Sequence, residues 1–226
     1  MTRQHFNGRP IPQSIAIVAM GFSRLDYGTH ATSVGGHRAV ADEIWAINKM
    51  GGVIFHDIMW RMDDLRIDTK LMYPEYERWL KTHPLIVTST AYPEFPGSIE
   101  FPLEEVLRDI GIPYLNTTPA YALAYAIYLG IKKILIYGCD FTYPEQAMCE
   151  RGQGCFEMLM GIAFQRKIEL NLGPHAALLD TSTPVNKRFY GYHNIDVSIV
   201  NGLWNIKRTS VPEKDEVSTS EVLNDN

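Results

Sequence analysis

The segment from Leu115 to Tyr143 constrains the fold of this chain more than any other stretch. It combines a polar loop, an alanine-rich helix over Ala120–Leu129, a Gly-Ile turn and a buried strand over Ile134–Tyr137 that ends in Gly-Cys-Asp. Gly130 follows the last helical residue, which is where glycine most often ends a helix. A helix that leads into a wholly apolar strand is typical of an α/β unit with a parallel sheet.

Short apolar runs recur along the chain and alternate with helical signals. The runs predict buried strands at Ser14–Met20, Ile44–Asn48, Val53–Asp57, Leu85–Ser89 and Ile168–Leu170. Further helices are predicted at Tyr73–Lys81, Pro102–Asp109 and Gly154–Arg166. We therefore predict an α/β fold with a Rossmann-like, doubly wound and mostly parallel sheet flanked by helices.

The length of 226 residues favours one domain with a sizeable core. We predict a single nucleotide-binding domain over residues 1–207 with a C-terminal lid segment, followed by a flexible polar tail over residues 208–226. Residues 1–13 are expected to form a loose arm, and the Gly-, Ser- and Thr-rich stretch 21–37 is expected to be a loop. Assembly into a homo-oligomer is left open.

Composition narrows the classes of partner and compartment. The net charge of −5 and the pI of about 5.8 give no overall electrostatic footprint for nucleic acid. Three unevenly spaced cysteines, Cys139, Cys149 and Cys155, argue against a disulfide framework and against a zinc site. The start of the chain has no apolar signal region, and no run reaches the roughly 18 apolar residues of a membrane span. We expect a cytoplasmic protein without a membrane span.

Three polar residues, Asn48, Asp57 and Asp140, each end a predicted strand. Ligands of open α/β sheets bind beyond the carboxyl ends of the strands, so these side chains are expected to converge on one rim. Capping of the following helices is the alternative role. Gly21 and Ser23 follow the first strand in a turn that resembles a nucleotide-binding turn, although an ordinary tight turn explains them equally well.

Two further groups of residues are candidates for phosphate binding. The loop Asn116, Thr117 and Thr118 precedes the alanine-rich helix, and the N-terminus of a helix favours anions. Asp57 together with Asp63 or Asp64 has the carboxylates that Mg²⁺ prefers. The segment around Asp63 is also compatible with a solvated charged turn, in which Arg61 and Arg66 pair with these acids or meet a phosphate.

Candidates for a general base lie in the second half of the chain. Glu150 belongs to a charged segment after Asp140 that is predicted to be a loop, and a carboxylate there could take a proton from an acceptor hydroxyl. His175 and His193 are also candidates, but the sequence shows no partner for either ring, which favours structural roles.

The stretches IAIVAMGFSRL, IWAINKMGGVIFHD and NTTPAYALAYAIYLGIKKILIYGCDF carry a family resemblance. The chain resembles the bacterial CMP-sialic-acid-dependent sialyltransferases, together with the related motility-associated glycosyltransferases and MptE-like pterin diphosphokinases of the same Rossmann-like superfamily. The match covers roughly residues 15–170. In the sialyltransferases a Thr-Ser-Gly loop precedes a helix, and the next strand ends in Gly-x-Asp-Phe, which corresponds here to Gly138, Asp140 and Phe141.

The resemblance implies roles for individual residues. Those implied to contact the nucleotide donor are Gly21, Ser23, Asn48, Thr117, Thr118 and Asp140. Tyr143 is implied to steady the leaving phosphate. The sialyltransferases carry a catalytic His in the loop after Gly-x-Asp-Phe. This chain has no His there, and the corresponding position, counted back from the following helix, is Glu150.

Three functions follow as hypotheses. The first is a glycosyltransferase that moves a sugar from a nucleotide-sugar donor to the hydroxyl of an unidentified acceptor, with Glu150 and Tyr143 in catalysis and without a metal or other cofactor. The second is an Mg²⁺-dependent, pyrophosphokinase-like phosphotransferase that uses Asp57 and Asp63 or Asp64. The third is a nucleotide-binding module without catalysis.

Overall fold

The computed structural model describes residues 3–68, 73–142, 144–181, 183–192, 195–200 and 203–209. The chain divides into two compact units, Met1–Leu179 and Asp180–Asn226. Tyr143, His193 and residues 210–226 of the predicted tail lie outside the described residues.

The first unit is built on a parallel sheet of seven strands, which confirms the predicted fold class. The strands are β1 Ser14–Val18, β2 Glu43–Ile47, β3 Ile58–Trp60, β4 Ile86–Thr88, β5 Ser98–Glu100, β6 Lys133–Tyr137 and β7 Glu169–Leu172. The helices are α1 Arg24–Ser33, α2 His37–Val40, α3 Leu65–Asp68, α4 Pro74–Thr82, α5 Leu103–Ile110, α6 Thr118–Leu129 and α7 Gln146–Gln165. Gly130 ends α6 in the left-handed conformation, as predicted.

Successive side chains of a strand point to opposite sides of the sheet, so a wholly apolar strand needs cover on both faces. Helices provide that cover on each face of this sheet. Ile15 and Ile17 of β1 belong to a core cluster that includes residues of α5, α6 and α7. Ala16 and Val18 belong to a second cluster, which includes Tyr27 of α1. The sheet is therefore doubly wound.

The strand order β5-β4-β3-β2-β1-β6-β7 reverses at β1. The chain runs outward from β1 to β5 and then returns to place β6 on the other side of β1, where β6 pairs with it in parallel from Ser14↔Lys133 to Val18↔Tyr137. The helices that follow β1 and β6, α1 and α7, pack on opposite faces of the sheet. Such a point of reversal opens a crevice at the carboxyl ends of the strands.

The prediction of a third strand over Val53–Asp57 is wrong. Asn48–Gly52 forms a short 3-10 helix, and the strand is Ile58–Trp60. Val53 and Phe55 are 69% and 47% exposed, whereas all three residues of the true strand are fully buried. Asp57 therefore precedes β3 and lies at the amino end of the sheet.

Three other predicted segments differ from the structure. Residues 24–33 of the predicted loop form α1, and α7 begins at Gln146 instead of Gly154, so Glu150 lies in a helix. The predicted loose arm is fixed over its described residues. Phe6 stacks on Tyr125 with 4.3 Å between ring centroids, and Arg9 Nη2 lies 2.7 Å from Glu43 Oε1.

The second unit contains an antiparallel hairpin of β8 Ile195–Val200 and β9 Leu203–Arg208. The predicted boundary between the lid segment and the polar tail, between residues 207 and 208, falls within β9, which ends at Arg208. No disulfide joins Cys139, Cys149 and Cys155. Over the residues that the structure describes, no helix has both the length and the apolar character needed to cross a bilayer.

Candidate functional site

A cavity of about 440 Å³ lies at the carboxyl ends of β1, β2, β3 and β6. We call it the switch-point cavity, because it occupies the place where the strand order reverses. Its wall includes Gly21, Asn48, Lys49, Arg61, Pro119 and Gly138. Three of the predicted site residues, Gly21, Asn48 and Gly138, line this cavity.

Arg61 is the buried cation of this cavity. It directly follows β3, is 2% exposed, and donates a hydrogen bond from Nη1 to the hydroxyl of Tyr76 on α4. Burial lowers the pKa of the Arg61 guanidinium, and burial raises the pKa of Tyr76, which keeps this hydroxyl neutral. Guanidinium pKa values lie so high that Arg61 stays charged at neutral pH. A buried positive charge in a cavity wall favours an anionic ligand.

Other charges at the cavity are exposed to solvent. Lys49 follows β2 and Asp63 follows Arg61, and both side chains lie on the cavity wall. From the sequence, Arg61 is predicted to lie in a charged turn, where it pairs with neighbouring acids or meets a phosphate. The signal that distinguishes it is its position directly after the three-residue apolar strand Ile58–Trp60.

Asn48 presents an unused acceptor at the end of β2. It adopts a positive φ of 53°, a conformation that asparagine tolerates better than most residues. Its Oδ1 atom is buried and has no hydrogen-bond partner among the described residues. A buried acceptor without a partner costs about 1–3 kcal/mol, so a ligand that donates to Oδ1 would recover this energy.

Ser23 and Asp140 bind each other. The Ser23 backbone N–H donates to Asp140 Oδ2 at 2.7 Å, and Ser23 Oγ donates to Asp140 Oδ1 at 2.6 Å. The Gly138 N–H donates to Ser23 Oγ at 2.8 Å. We call this set the β1–β6 latch. Asp140 is 5% exposed and Ser23 is fully buried, so the latch fixes the two loops beside the cavity.

The loops after β1 and β6 approach each other so closely that two positions must be glycine. A Cβ on Gly21 would lie 2.4 Å from Asp140 Oδ2. Gly138 has a φ of +68°, and a Cβ there would lie 2.2 Å from the carbonyl oxygen of Ala19. Both loops can therefore meet only because these positions have no side chain.

A second cavity of about 390 Å³ lies at the N-terminus of α6. Its wall includes Asn116, Thr117 and Arg151, and Asn116 Nδ2 donates to the Arg151 carbonyl at 3.0 Å. Thr117 is the N-cap residue of α6, yet its side chain makes no cap bond and its buried Oγ1 has no partner among the described residues. Thr118, the first helical residue, is buried. The N-terminus of α6 thus lies between the two cavities, because the next residue, Pro119, lines the first one.

The acidic residues suggested for Mg²⁺ are not brought together. Asp57 lies before β3, with its Oδ1 2.8 Å from Arg38 Nη2, whereas Asp63 and Asp64 follow the carboxyl end of β3. Asp64 pairs with Arg66 at 2.8 Å, and the hydrogen bond from Arg66 lowers the pKa of Asp64 to about 2. In the described ranges, no three His, Cys, Asp or Glu side chains cluster in a way that could hold a metal ion. The rim position predicted for Asp57 is wrong, because this residue directly precedes β3 and does not follow a strand.

Glu150 is exposed on α7 and accepts a hydrogen bond from Gln146 Nε2 at 2.7 Å. It lines neither cavity among the described residues. Its predicted place in a loop is wrong, since α7 begins four residues earlier. Tyr143 lies outside the described residues, so its role stays a prediction.

The fold is shared with solved structures of a sialyltransferase. No protein-family model matches the chain, and no curated protein matches it in sequence. The sialyltransferase CstII from Campylobacter jejuni in complex with the substrate analogue CMP-3FNeuAc aligns with a TM-score of 0.51 and 16% identity, over 73% of this chain and 83% of that chain. A point mutant of the α-2,3/8-sialyltransferase CstII aligns with a TM-score of 0.51 and 14% identity, over the same shares.

At these identities the likeness establishes a common fold. Membership in the motility-associated or MptE-like groups stays a prediction from the sequence.

Proposed function

We propose that this protein is a glycosyltransferase that binds a nucleotide-sugar donor in the switch-point cavity and transfers the sugar to an acceptor hydroxyl. The observation that carries the proposal is the buried cation Arg61 in the wall of a cavity at the β1/β6 reversal. A CMP-activated sugar is the first candidate donor, because a structure with the same fold binds a CMP-sugar analogue.

The cavity suits the phosphate of such a donor. A guanidinium forms paired, charge-assisted hydrogen bonds with phosphate oxygens, and Arg61 is held in place by Tyr76. Lys49 adds a second positive charge at the rim, while the carboxylate of Asp63 offsets part of it. The N-terminus of α6 adds backbone N–H groups and the positive end of a helix dipole. Together these groups would stabilise the negative charge of a departing nucleotide phosphate.

Two unused polar atoms would recognise the rest of the donor. Asn48 Oδ1 would accept from a donor hydroxyl or amino group, and Thr117 Oγ1 would bind phosphate or ribose, as the family resemblance implies. Gly21 and Gly138 would contribute backbone at the cavity wall. We assign Ser23 and Asp140 the indirect role of fixing that backbone through the β1–β6 latch.

We also propose that donor binding needs no metal ion. In Mg²⁺-dependent transfer the cation neutralises phosphate charge, and Arg61 and Lys49 would supply that charge here. This proposal rests on the residues of the cavity wall and is testable by omission of Mg²⁺.

A ligand panel tests the proposal. A ligand that binds only the native state raises thermal stability, so we would measure melting with CMP, CMP-, UDP-, GDP- and dTDP-sugars and ATP, with and without Mg²⁺. We expect a shift with CMP and its sugar that does not depend on Mg²⁺. A shift seen only with ATP in the presence of Mg²⁺ would favour the phosphotransferase. A shift with a nucleotide sugar, together with no release of the sugar on incubation, would favour a non-catalytic module.

The Arg61→Gln variant links binding to the cavity. Loss of charge-assisted hydrogen bonds worth about 1.5–3 kcal/mol should weaken CMP binding by roughly 10- to 150-fold. Arg61→Lys keeps the charge and should recover part of this affinity. Arg66→Gln is the matched control, because Arg66 is exposed and pairs with Asp64. Equal affinity of Arg61→Gln and the control would contradict the assignment.

A further inference from the structure

The hairpin of the second unit has two unlike faces. Side chains alternate along each strand, and residues that pair across the ladder point to the same side. One face carries apolar side chains and a cation, from the cross-strand pairs Ile195–Arg208 and Val197–Ile206. The other face is polar, with the pairs Asp196–Lys207 and Ser198–Asn205. A two-stranded hairpin alone is only marginally stable in water, so its apolar face needs cover.

A cavity of about 300 Å³ lies on the apolar face of the hairpin. Its wall is formed by Phe189, Tyr192, Ile195, Ile206 and Arg208, and we call it the hairpin cavity. All five residues belong to the second unit. Phe189, Tyr192 and Ile206 are exposed, which is unusual for side chains of this size and polarity. Sites for small molecules have this composition, mostly apolar and aromatic with few polar groups.

Arg208 supplies the charge of the hairpin cavity. Its guanidinium carbon lies 5.9 Å from the ring centroid of Tyr192. In the part of the chain that the structure describes, no carboxylate pairs with Arg208. By contrast, the guanidinium of Arg188 donates to the backbone carbonyls of Thr181 and Thr183, each at 2.7 Å. Arg208 is therefore available to a ligand, whereas Arg188 holds its own loop.

The single cation restricts the chemistry of the ligand. An aromatic wall packs against the face of a ring, and a guanidinium binds a carboxylate or a phosphate. Single-stranded nucleic acid instead needs a row of cations that follows its backbone. Lys207, the neighbour of Arg208, lies on the opposite face of the hairpin, and the net charge of −5 opposes a polyanion. The hairpin cavity thus suits one ring with one anionic group.

We propose that the hairpin cavity binds a sugar ring that bears one carboxylate or phosphate group and thereby retains the acceptor glycan; this inference rests on the proposed glycosyltransferase function. The ring packs on Tyr192 and Phe189, and its anionic group pairs with Arg208. A glycan held at a second site of the same chain is present at a raised effective concentration for the transfer reaction. The hairpin cavity has no part in the chemical step.

Methyl NMR of the full chain tests this site directly. We would titrate glucuronic acid, glucose 6-phosphate and glucose and follow the methyl shifts of Ile195 and Ile206, which line the cavity. We expect saturable shifts with at least one of the two acidic sugars and none with glucose at the same concentration. The acidic sugar that binds more tightly identifies the anionic group as carboxylate or phosphate.

Two variants measure the contributions of the wall. Arg208→Gln should weaken binding of the acidic sugar by roughly tenfold or more, because it removes the charge-assisted hydrogen bonds. Tyr192→Ser should weaken it by roughly three- to tenfold, because it removes the aromatic face. Unchanged methyl spectra of the free variants would show that the hairpin still folds.

Neighbouring residues provide matched controls. Lys207→Gln removes the same charge from the polar face, and Tyr190→Ser removes a fully exposed ring that is not part of the wall. Both should keep the wild-type affinity. Equal losses in Arg208→Gln and Lys207→Gln, equal shifts with glucose and the acidic sugars, or tighter binding of a single-stranded oligothymidylate at Ile195 and Ile206 would overturn the proposal.

The same samples separate this inference from the proposed function. If CMP binds and the acidic sugars leave Ile195 and Ile206 unshifted, this inference alone fails. If the acidic sugars bind here but CMP binds nowhere on the chain, the proposed function fails, and the acceptor role of the hairpin cavity fails with it.

Discussion

Acid should destabilise this protein through the buried His83 and its half-buried partner His56. Their Nε2 atoms lie 2.7 Å apart, and His83 is 7% exposed. His83 Nδ1 accepts from the Leu85 N–H at 3.2 Å, so its proton lies on Nε2 and is donated to His56 Nε2. His56 Nδ1 donates in turn to the carbonyl of Ile54 at 2.9 Å. All four ring nitrogens therefore have hydrogen-bond partners while both rings are neutral. A further proton on His83 would turn Nδ1 into a donor that faces the Leu85 N–H, and a further proton on His56 would place two donors against each other.

The magnitude follows from the pKa of His83. Burial, followed by the charge of His56, lowers this pKa from 6.5 to about 4. Between these values the unfolded chain binds the proton and the native state does not, so the free energy of unfolding falls as pH decreases. The contribution is fully present above about pH 7. About 2 kcal/mol is lost at pH 5, and about 3 kcal/mol once the pH lies below 4.

Urea unfolding at pH 7.5 and pH 5.0 measures this effect. The wild-type protein should lose about 2 kcal/mol more between the two pH values than the His83→Gln variant, whatever the variant costs at pH 7.5. His30→Gln is the matched control and should retain the wild-type pH dependence. The reasoning is refuted if His83→Gln loses as much stability on acidification as the wild-type protein does.

The β1–β6 latch and its glycines give two further predictions, both read from urea unfolding at neutral pH. Gly138→Ala should lower the free energy of unfolding by more than about 3 kcal/mol or prevent folding, because the new Cβ would overlap the Ala19 carbonyl at a positive φ. Gly154→Ala, which has open space around it on α7, should be neutral or stabilising by up to about 1 kcal/mol. Ser23→Ala should cost about 2–3 kcal/mol, since Asp140 loses a donor and the Gly138 N–H loses its acceptor, whereas exposed Ser33→Ala should stay within about 0.5 kcal/mol. Equal effects within either pair of variants would contradict the assigned packing.

Apolar runs predicted most of the sheet because buried parallel strands need them on both faces. The mostly parallel pairing of the strands was predictable from the alternation of strands and helices. The third strand was misplaced because the residues from Val53 to Phe55 resemble a short buried apolar run. These residues follow the short 3-10 helix Asn48–Gly52, which contains the double glycine. Helix α1 was missed because its sequence, RLDYGTHATS, has little apolar periodicity, and only Tyr27 and Ala31 are buried.

The site was partly predictable for a similar reason. Residues that directly follow a strand, such as Asn48 and Gly138, share a rim by topology alone, so correct strand ends were enough to place them. One misplaced strand moved Asp57 to the opposite edge. Pairs that join distant elements, such as Ser23 with Asp140 and Asp26 with His175, depend on loop geometry, and local sequence patterns do not encode it.

The most direct test of the proposed function is a crystal structure of the protein with CMP at saturating concentration. We predict CMP in the switch-point cavity, with phosphate oxygens within hydrogen-bond distance of the Arg61 guanidinium and a nucleotide group at Asn48 Oδ1. CMP bound elsewhere on the chain, or a cavity without nucleotide at saturation, would contradict it.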